Sequence, residues 1–249
     1  ALEKLQMKSI QPFTSGNLTE SEGYLNGNLT VSGQANNPEI QGQLKFNNVG
    51  FVVAPLNSKF KLINDAIDFN YQTITFNTFR FKDENDNDLE INGTVTTANY
   101  ANLGFDLNIQ ADNFRAVNSG AKDSDLFYGK LYLDNNLSLK GDFDSPIIEG
   151  NIKINKDTEF TIVLPQEDPS IADREGIVEF VDEDQPVLIT VKDPTKAITE
   201  TDIKGMNASV NIEIDKDAEI SIIIDKANGD FLKLKGEAEL NGGIDPSGK

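Results

Sequence analysis

The chain has 249 residues, with 41 acidic against 22 basic side chains, a net charge of −19, and neither cysteine nor histidine. A field of that sign repels a phosphate backbone and an anionic bilayer surface, so no nucleic acid is expected among the partners. Without imidazole or thiol, the commonest hydrolase designs, zinc sites and disulfides are all excluded.

Residues 1–22 read as an N-terminal linker or as incomplete first strands. From residue 23 to 164 apolar side chains recur at every second position, the pattern of strands with one greasy and one wet face. Leu25, Gly27, Leu29, Val31 and Gly33 share one face, as do Ile40, Gly42, Leu44 and Phe46. Ile67, Phe69 and Tyr71 follow, then Ile74 and Phe76, then Leu89, Ile91, Gly93 and Val95, then Leu103, Phe105, Leu107, Ile109 and Ala111. Next come Leu131 and Leu133; Leu137, Leu139 and Gly141; Ile148, Gly150, Ile152 and Ile154; and Phe160, Ile162 and Leu164. Residues 165–205 break the pattern. They are rich in proline and acid and read as a long loop carrying short strands at 177–181 and 187–191, a length that implies function or poor order. Residues 206–249 resume with Val210, Ile212 and Ile214; Ile220, Ile222 and Ile224; and Leu232, Leu234, Gly236, Ala238 and Leu240. These read as C-terminal strands, truncated in the Gly242–Gly248 turn.

No segment keeps a period of 3.6 with caps, so few or no helices are expected. Turns are written in Asn, Asp and Gly: Asn36–Pro38, Asp83–Asp88, Asp134–Asn136, Asp215–Asp217 and Asn228–Asp230. One strand–turn–strand unit is written twice: Gly33, Pro38 and Gly42 return 108 residues later as Gly141, Pro146 and Gly150. Such architectures make long surfaces more readily than catalytic pockets.

About a dozen or more strands of ordinary length make too large an apolar face to leave flat. The sheet must close around a solid core or curl into a trough, which would run on the order of 60 Å at one strand per ~4.8 Å. With no tryptophan and 8% aromatics, the composition favours the trough over a long solid core. The glycines on the apolar face fit strong curvature that leaves a lumen, or else relief of crowding in a packed core. On the first of these readings, valine at Gly150 would narrow the groove while the strands survived.

The fold class is therefore all-β, a long curled antiparallel or mixed sheet forming a U-shaped trough with a hydrophobic interior. The expected groove lining is Leu29, Val31, Ile40, Leu44, Phe46, Ile67, Phe69, Ile91, Val95, Phe105, Leu107 and Ile109 in the first half. In the second half it is Leu137, Leu139, Ile148, Ile152, Ile154, Ile212, Ile214, Ile222, Ile224, Leu232 and Leu234.

Asp83, Asn85 and Asn87 match the first three ligand positions of an EF-hand loop, but Asp88 replaces the required glycine and Thr94 the closing glutamate. The stretch reads as a polar turn, and no metal is expected. The sequons at Asn17, Asn28, Asn92, Asn136 and Asn207 arise readily by chance in an Asn-rich β chain. The acids, dispersed in turns, single out no carboxylate pair, so no catalytic residue is assigned and no enzyme is expected.

The duplicated Leu-x-Val-x-Gly-x4-Pro pattern, Tyr128-Gly129, the Arg174–Asp182 stretch and the terminal Gly242–Gly248 stretch resemble, in this order, the C-terminal region of the TamB family of AsmA-like proteins. The resemblance runs from about Gly23 to the end, in the wording of the Bacteroidetes form. It implies the U-shaped sheet called a β-taco, in a periplasmic protein anchored in the inner membrane and reaching the outer one. It also implies contact with an outer-membrane barrel of the TamA/BamA type through regions outside this chain. Phospholipid acyl chains would be the transported ligand, with no other cofactor, in support of outer-membrane biogenesis. A chaperone-like β-scaffold for inserting outer-membrane proteins and a structural or adhesive module with a solid core remain alternatives.

Overall fold

The computed structural model describes residues 1–34, 37–98, 102–164, 207–225 and 228–244. The expected 165–205 loop, part of the Asn36–Pro38 turn and the terminal turn past residue 244 lie outside the described residues. β1 (Leu2–Gln6), a one-turn helix (Met7–Ile10) and a 3₁₀ turn (Gln11–Thr14) lead into β2 (Leu18–Gln34) and β3 (Asn37–Val53). β4 (Ser58–Leu62), β5 (Ala66–Tyr71), β6 (Thr73–Lys82), β7 (Asp88–Thr96) and β8 (Gly104–Ser119) follow. β9 (Phe127–Asp142), β10 (Pro146–Ile154) and β11 (Glu159–Val163) precede β12 (Asn207–Ile214), β13 (Glu219–Asp225), β14 (Asp230–Lys235) and β15 (Ala238–Ile244). All belong to one curled 15-stranded sheet.

The strands stand in the order β1-β2-β3-β4-β6-β7-β8-β9-β10-β12-β15. β5 extends the line of β4 alongside β3, and β11 extends the line of β10 alongside β9. β13 and β14 likewise extend β12 and β15. Eleven ranks of strand span roughly 50 Å, shorter than the strand count alone suggests. Pairing is antiparallel except for β10 on β12 and β11 on β13. Those parallel pairs match residues 60 positions apart, from Ile147 on Asn207 to Val163 on Ile223. Asn151-Ile-Lys-Ile-Asn-Lys-Asp-Thr-Glu-Phe thus lies in register on Asn211-Ile-Glu-Ile-Asp-Lys-Asp-Ala-Glu-Ile.

The strands bend together. Glu20, Asn48, Thr78 and Asn113 have φ between +45° and +53°, and the pairing slips beside Glu22, between Phe76 and Phe79, and between Ala111 and Phe114. Such bulges leave backbone N–H groups without a ladder partner and bend the strand. Side chains of neighbouring segments accept them. Thr78 N–H donates to Asn92 Oδ1 (2.7 Å), Arg80 N–H to Asp65 Oδ1 (3.0 Å) and Asn113 N–H to Asp134 Oδ1 (2.7 Å). Asp134–Asn136, expected as a turn, therefore runs inside β9: its carboxylate also accepts from Asn155 Nδ2 at 2.7 Å, capping the crease.

The Asp83 carboxyl group is buried and accepts from four groups: Asn85 N–H (2.8 Å), Asn87 N–H (2.9 Å), Asn87 Nδ2 (3.1 Å) and Arg115 N–H (2.8 Å). It anchors the turn between β6 and β7 to β8, and Arg115 also pairs with Glu84. Beside it Phe60 of β4 stacks on Phe114 of β8, centroids 5.3 Å apart, joining strands that are three ranks apart in the sheet. Met7, Leu25, Val49, Leu62 and Phe79 form the buried cluster at this end, with Phe46, Phe51, Phe76 and Phe81 packed against it.

Candidate functional site: the apolar inner face

Register carries one apolar face across the sheet. Gly27, Leu44, Ile67, Phe76, Gly93, Leu107, Leu139, Ile148 and Ala208 stand opposite one another in sequence, a single row crossing from β2 to β12. On one side of it lie Leu29, Phe69, Val95 and Phe105, with Val31 and Ile40 beyond. On the other lie Phe46, Ile91, Ile109 and Leu137, then Ile152 and Ile212, then Ile154 and Ile214. Phe160 stands opposite Gly129 on β9 and Ile220 on β13, which brings Ile222, Ile224, Leu232 and Leu234 to this face as well.

The face is filled at one end and accessible at others. Leu44, Phe46 and Ile67 pack against the Val49 cluster, where Val49 itself is 1% exposed. Ile154 and Ile212 pack on a second cluster of Ile214, Ala218 and Ile220. By contrast Val31 is 65% exposed, Ile224 53% and Leu240 52%, and the residues between, such as Leu139 and Ile148, are half-buried. Leu133, Val210 and Leu240, absent from the sequence-based lining, share the face. Their alternation with Leu131, Ile212 and Ala238 was the available signal.

The glycines of this face answer to backbone. Gly42, Gly93, Gly129 and Gly150 have φ between +111° and +139°, a region other residues rarely enter. A Cβ on Gly150 would lie 2.1 Å from Asn136 O, and one on Gly42 would lie 1.9 Å from Asn28 O. Neither room in a lumen nor relief of side-chain crowding explains them. Valine at Gly150 would strike the neighbouring strand, which corrects the expectation that the strands would survive it.

The outer face is polar and charged. Glu219 accepts from Lys233 Nζ (2.7 Å) and Lys235 Nζ (3.0 Å), which hold its carboxyl below the usual carboxylate range. Lys153 pairs across the parallel ladder with Glu213 at 3.0 Å, and its amine is raised by that hydrogen bond. Among the described residues no three metal-ligating side chains converge, and the four donors around Asp83 occupy the oxygens an EF-hand reading would give to calcium. No described helix is long and apolar enough to cross a membrane.

A curled sheet with a continuous apolar inner face defines a β-trough protein. The family model of the TamB C-terminal domain matches residues 77–248, more than half of the chain, and the chain belongs to the TamB family. No curated protein and no solved structure matches it. The family is a transport and assembly module of the cell envelope, tied to the outer membrane and lipid transport and associated with TamA.

Proposed function

We propose that this segment is a lipid conduit, carrying phospholipid acyl chains along its inner face between the inner and outer membranes. The observation that carries the reading is the apolar face itself, continuous from β2 to β15 and left half-exposed outside the Val49 and Ile214 clusters. Burying a methylene gains about 0.8 kcal/mol against water, so a chain of ~16 carbons gains on the order of 10 kcal/mol. Against a bilayer interior the gain is close to zero, so tails are shielded from water without being held. The segment would act in the periplasm as part of an inner-membrane-anchored protein, with the outer-membrane barrel contacted through regions outside this chain.

Photo-crosslinking in the full-length protein tests it. A benzophenone side chain placed at Leu139 or Ile148, which face inward, should yield phospholipid adducts. The same group at Lys140 or Glu149, on the opposite face of the same strands, should not. Equal labelling at the four positions, or none, overturns the conduit. Among the described residues β14 and β15 form an edge of the sheet, which supports a second reading, strand-by-strand capture of unfolded outer-membrane protein. Protein adducts at Leu240 in place of lipid adducts at Leu139 would favour it.

A further inference from the structure

We infer that Asn228 is a self-modification site, where the chain converts its own asparagine to aspartate and isoaspartate and so loosens the β13–β14 hairpin. The inference is independent of the conduit reading. Hydroxide takes the proton of the Gly229 N–H, and the nitrogen attacks Cγ of Asn228. The Cγ–Nδ2 bond breaks, the amide nitrogen leaves as ammonia with a proton from water, and a five-membered imide remains. Water then opens either carbonyl of the ring, giving aspartate or an isoaspartate that routes the main chain through Cβ and Cγ. The step needs an attacking nitrogen free of side-chain bulk, which glycine supplies.

Four Asn-Gly pairs occur in the sequence: Asn26-Gly27, Asn92-Gly93, Asn228-Gly229 and Asn241-Gly242. Closing the ring turns the asparagine about its Cα–C bond, away from the extended value of a strand, so a pair inside a ladder reacts only when the ladder opens. Gly27 is paired on both sides, with Leu2 and Leu44, and Gly93 with Phe76 and Leu107. Asn92 Oδ1 also holds the Thr78 N–H at 2.7 Å, and Gly242 is paired with Val210. Asn228 and Gly229 instead form the turn between β13 and β14, with Asn228 exposed and nothing within 4 Å of a Cβ placed on Gly229. The Asp225 carboxylate restrains Asn228, accepting from its N–H at 3.1 Å and its Nδ2 at 2.6 Å. That contact decides the consequence. Conversion removes Nδ2 and sets a third carboxylate beside Asp225 and Asp230, which already stand opposite each other. Like charges facing one another across a hairpin are destabilising, and among the described strands β14 pairs with β13 alone.

The purified protein is held at mildly alkaline pH, folded and in urea, and both samples are followed by peptide mapping with mass spectrometry. In urea the four pairs should convert at similar rates. Folding should slow Asn26 and Asn92 by at least about ten-fold and Asn228 by no more than about three-fold, because only ladder pairs wait on opening. A protein isoaspartate methyltransferase with labelled S-adenosylmethionine should tag the converted peptide that carries position 228. Hydrogen exchange then compares converted with fresh protein. The amides of Asp230–Lys235 should exchange roughly five-fold faster after conversion, and Asn228→Asp should show a rise without ageing. Equal slowing of Asn228 and Asn92 by folding overturns the site. Unchanged exchange in β14 after conversion overturns the effect on the hairpin, and the inference with it.

Discussion

The carbonyl oxygen of Asn136 occupies the space where a Cβ on Gly150 would be, 2.1 Å away, and Asn28 stands in the same relation to Gly42 at 1.9 Å. The two pairs occupy equivalent places in the duplicated unit, so the repeat preserves a close backbone approach. Gly150→Ala or Gly42→Ala should each lower stability by about 2–4 kcal/mol, since a side chain meets both a forbidden φ and a rigid neighbour. Gly229 has φ +76° with nothing within 4 Å of a Cβ, and Gly229→Asn should be near neutral. Thermal melts followed by circular dichroism check the contrast. Equal melting of Gly150→Ala and wild type would refute this account.

The alternation that made the strands legible in the sequence also hid what bends them. At Asn48, Thr78 and Asn113 a bulge shifts the parity by one residue, and a single sequence shows this only as a lapse in the pattern. Asp134 is a turn-forming type, but here a neighbouring bulge needs its side chain as an acceptor, so the strand runs on through it. The pairing of Asn151–Val163 with Asn211–Ile223 is not legible in the sequence, because 165–205 separates the copies and alternation says nothing about parallel partners. A composition of 8% aromatics is an average over the chain; register alone gathers Phe46, Phe51, Phe76, Phe79 and Phe81 at one end.

Asp83 ties the β6–β7 turn to β8, and its removal should loosen that joint. Asp83→Ala leaves Arg115 N–H and the turn amides without an acceptor, at a cost on the order of 3 kcal/mol. Asp83→Asn keeps one acceptor oxygen and should recover about half of the loss. Calcium titration of wild type should leave the melting temperature unchanged. A calcium-dependent rise abolished by Asp83→Ala would show a cation site in place of a backbone anchor.

Glu219, held below the ordinary carboxylate range by Lys233 and then Lys235, adds a pH-dependent increment. Because the folded value is the lower one, the increment is fully present above the unfolded carboxylate pKa and is lost as pH falls through the folded one. The Lys235 amine is raised by Glu219, so its increment is present below the unfolded amine value and is lost as pH rises through the folded one. Lys235 is exposed and Glu219 lies at the surface, partly covered, so the effect is small and screened by salt. Glu219→Gln should therefore melt slightly below wild type at neutral pH. The gap should close in acid, towards pH ~3, and in molar salt. A gap that widened in acid would reverse the assignment.

The filled and open parts of the inner face should respond differently to a buried charge. Val49 is 1% exposed within the phenylalanine-rich cluster, so Val49→Asp places an uncompensated carboxylate among packed neighbours and should unfold the domain. Leu139 and Ile152 are half-buried on the same face, where water reaches the new carboxylate and lowers the penalty. Leu139→Asp and Ile152→Asp should keep most of the β signal and melt within about 2 kcal/mol of wild type, yet carry less bound phospholipid after purification. A solid core along the whole face predicts the same collapse at all three positions. Melting temperatures and bound-lipid counts on the three variants separate the two structures, and unfolding of Ile152→Asp together with Leu139→Asp would sink the trough.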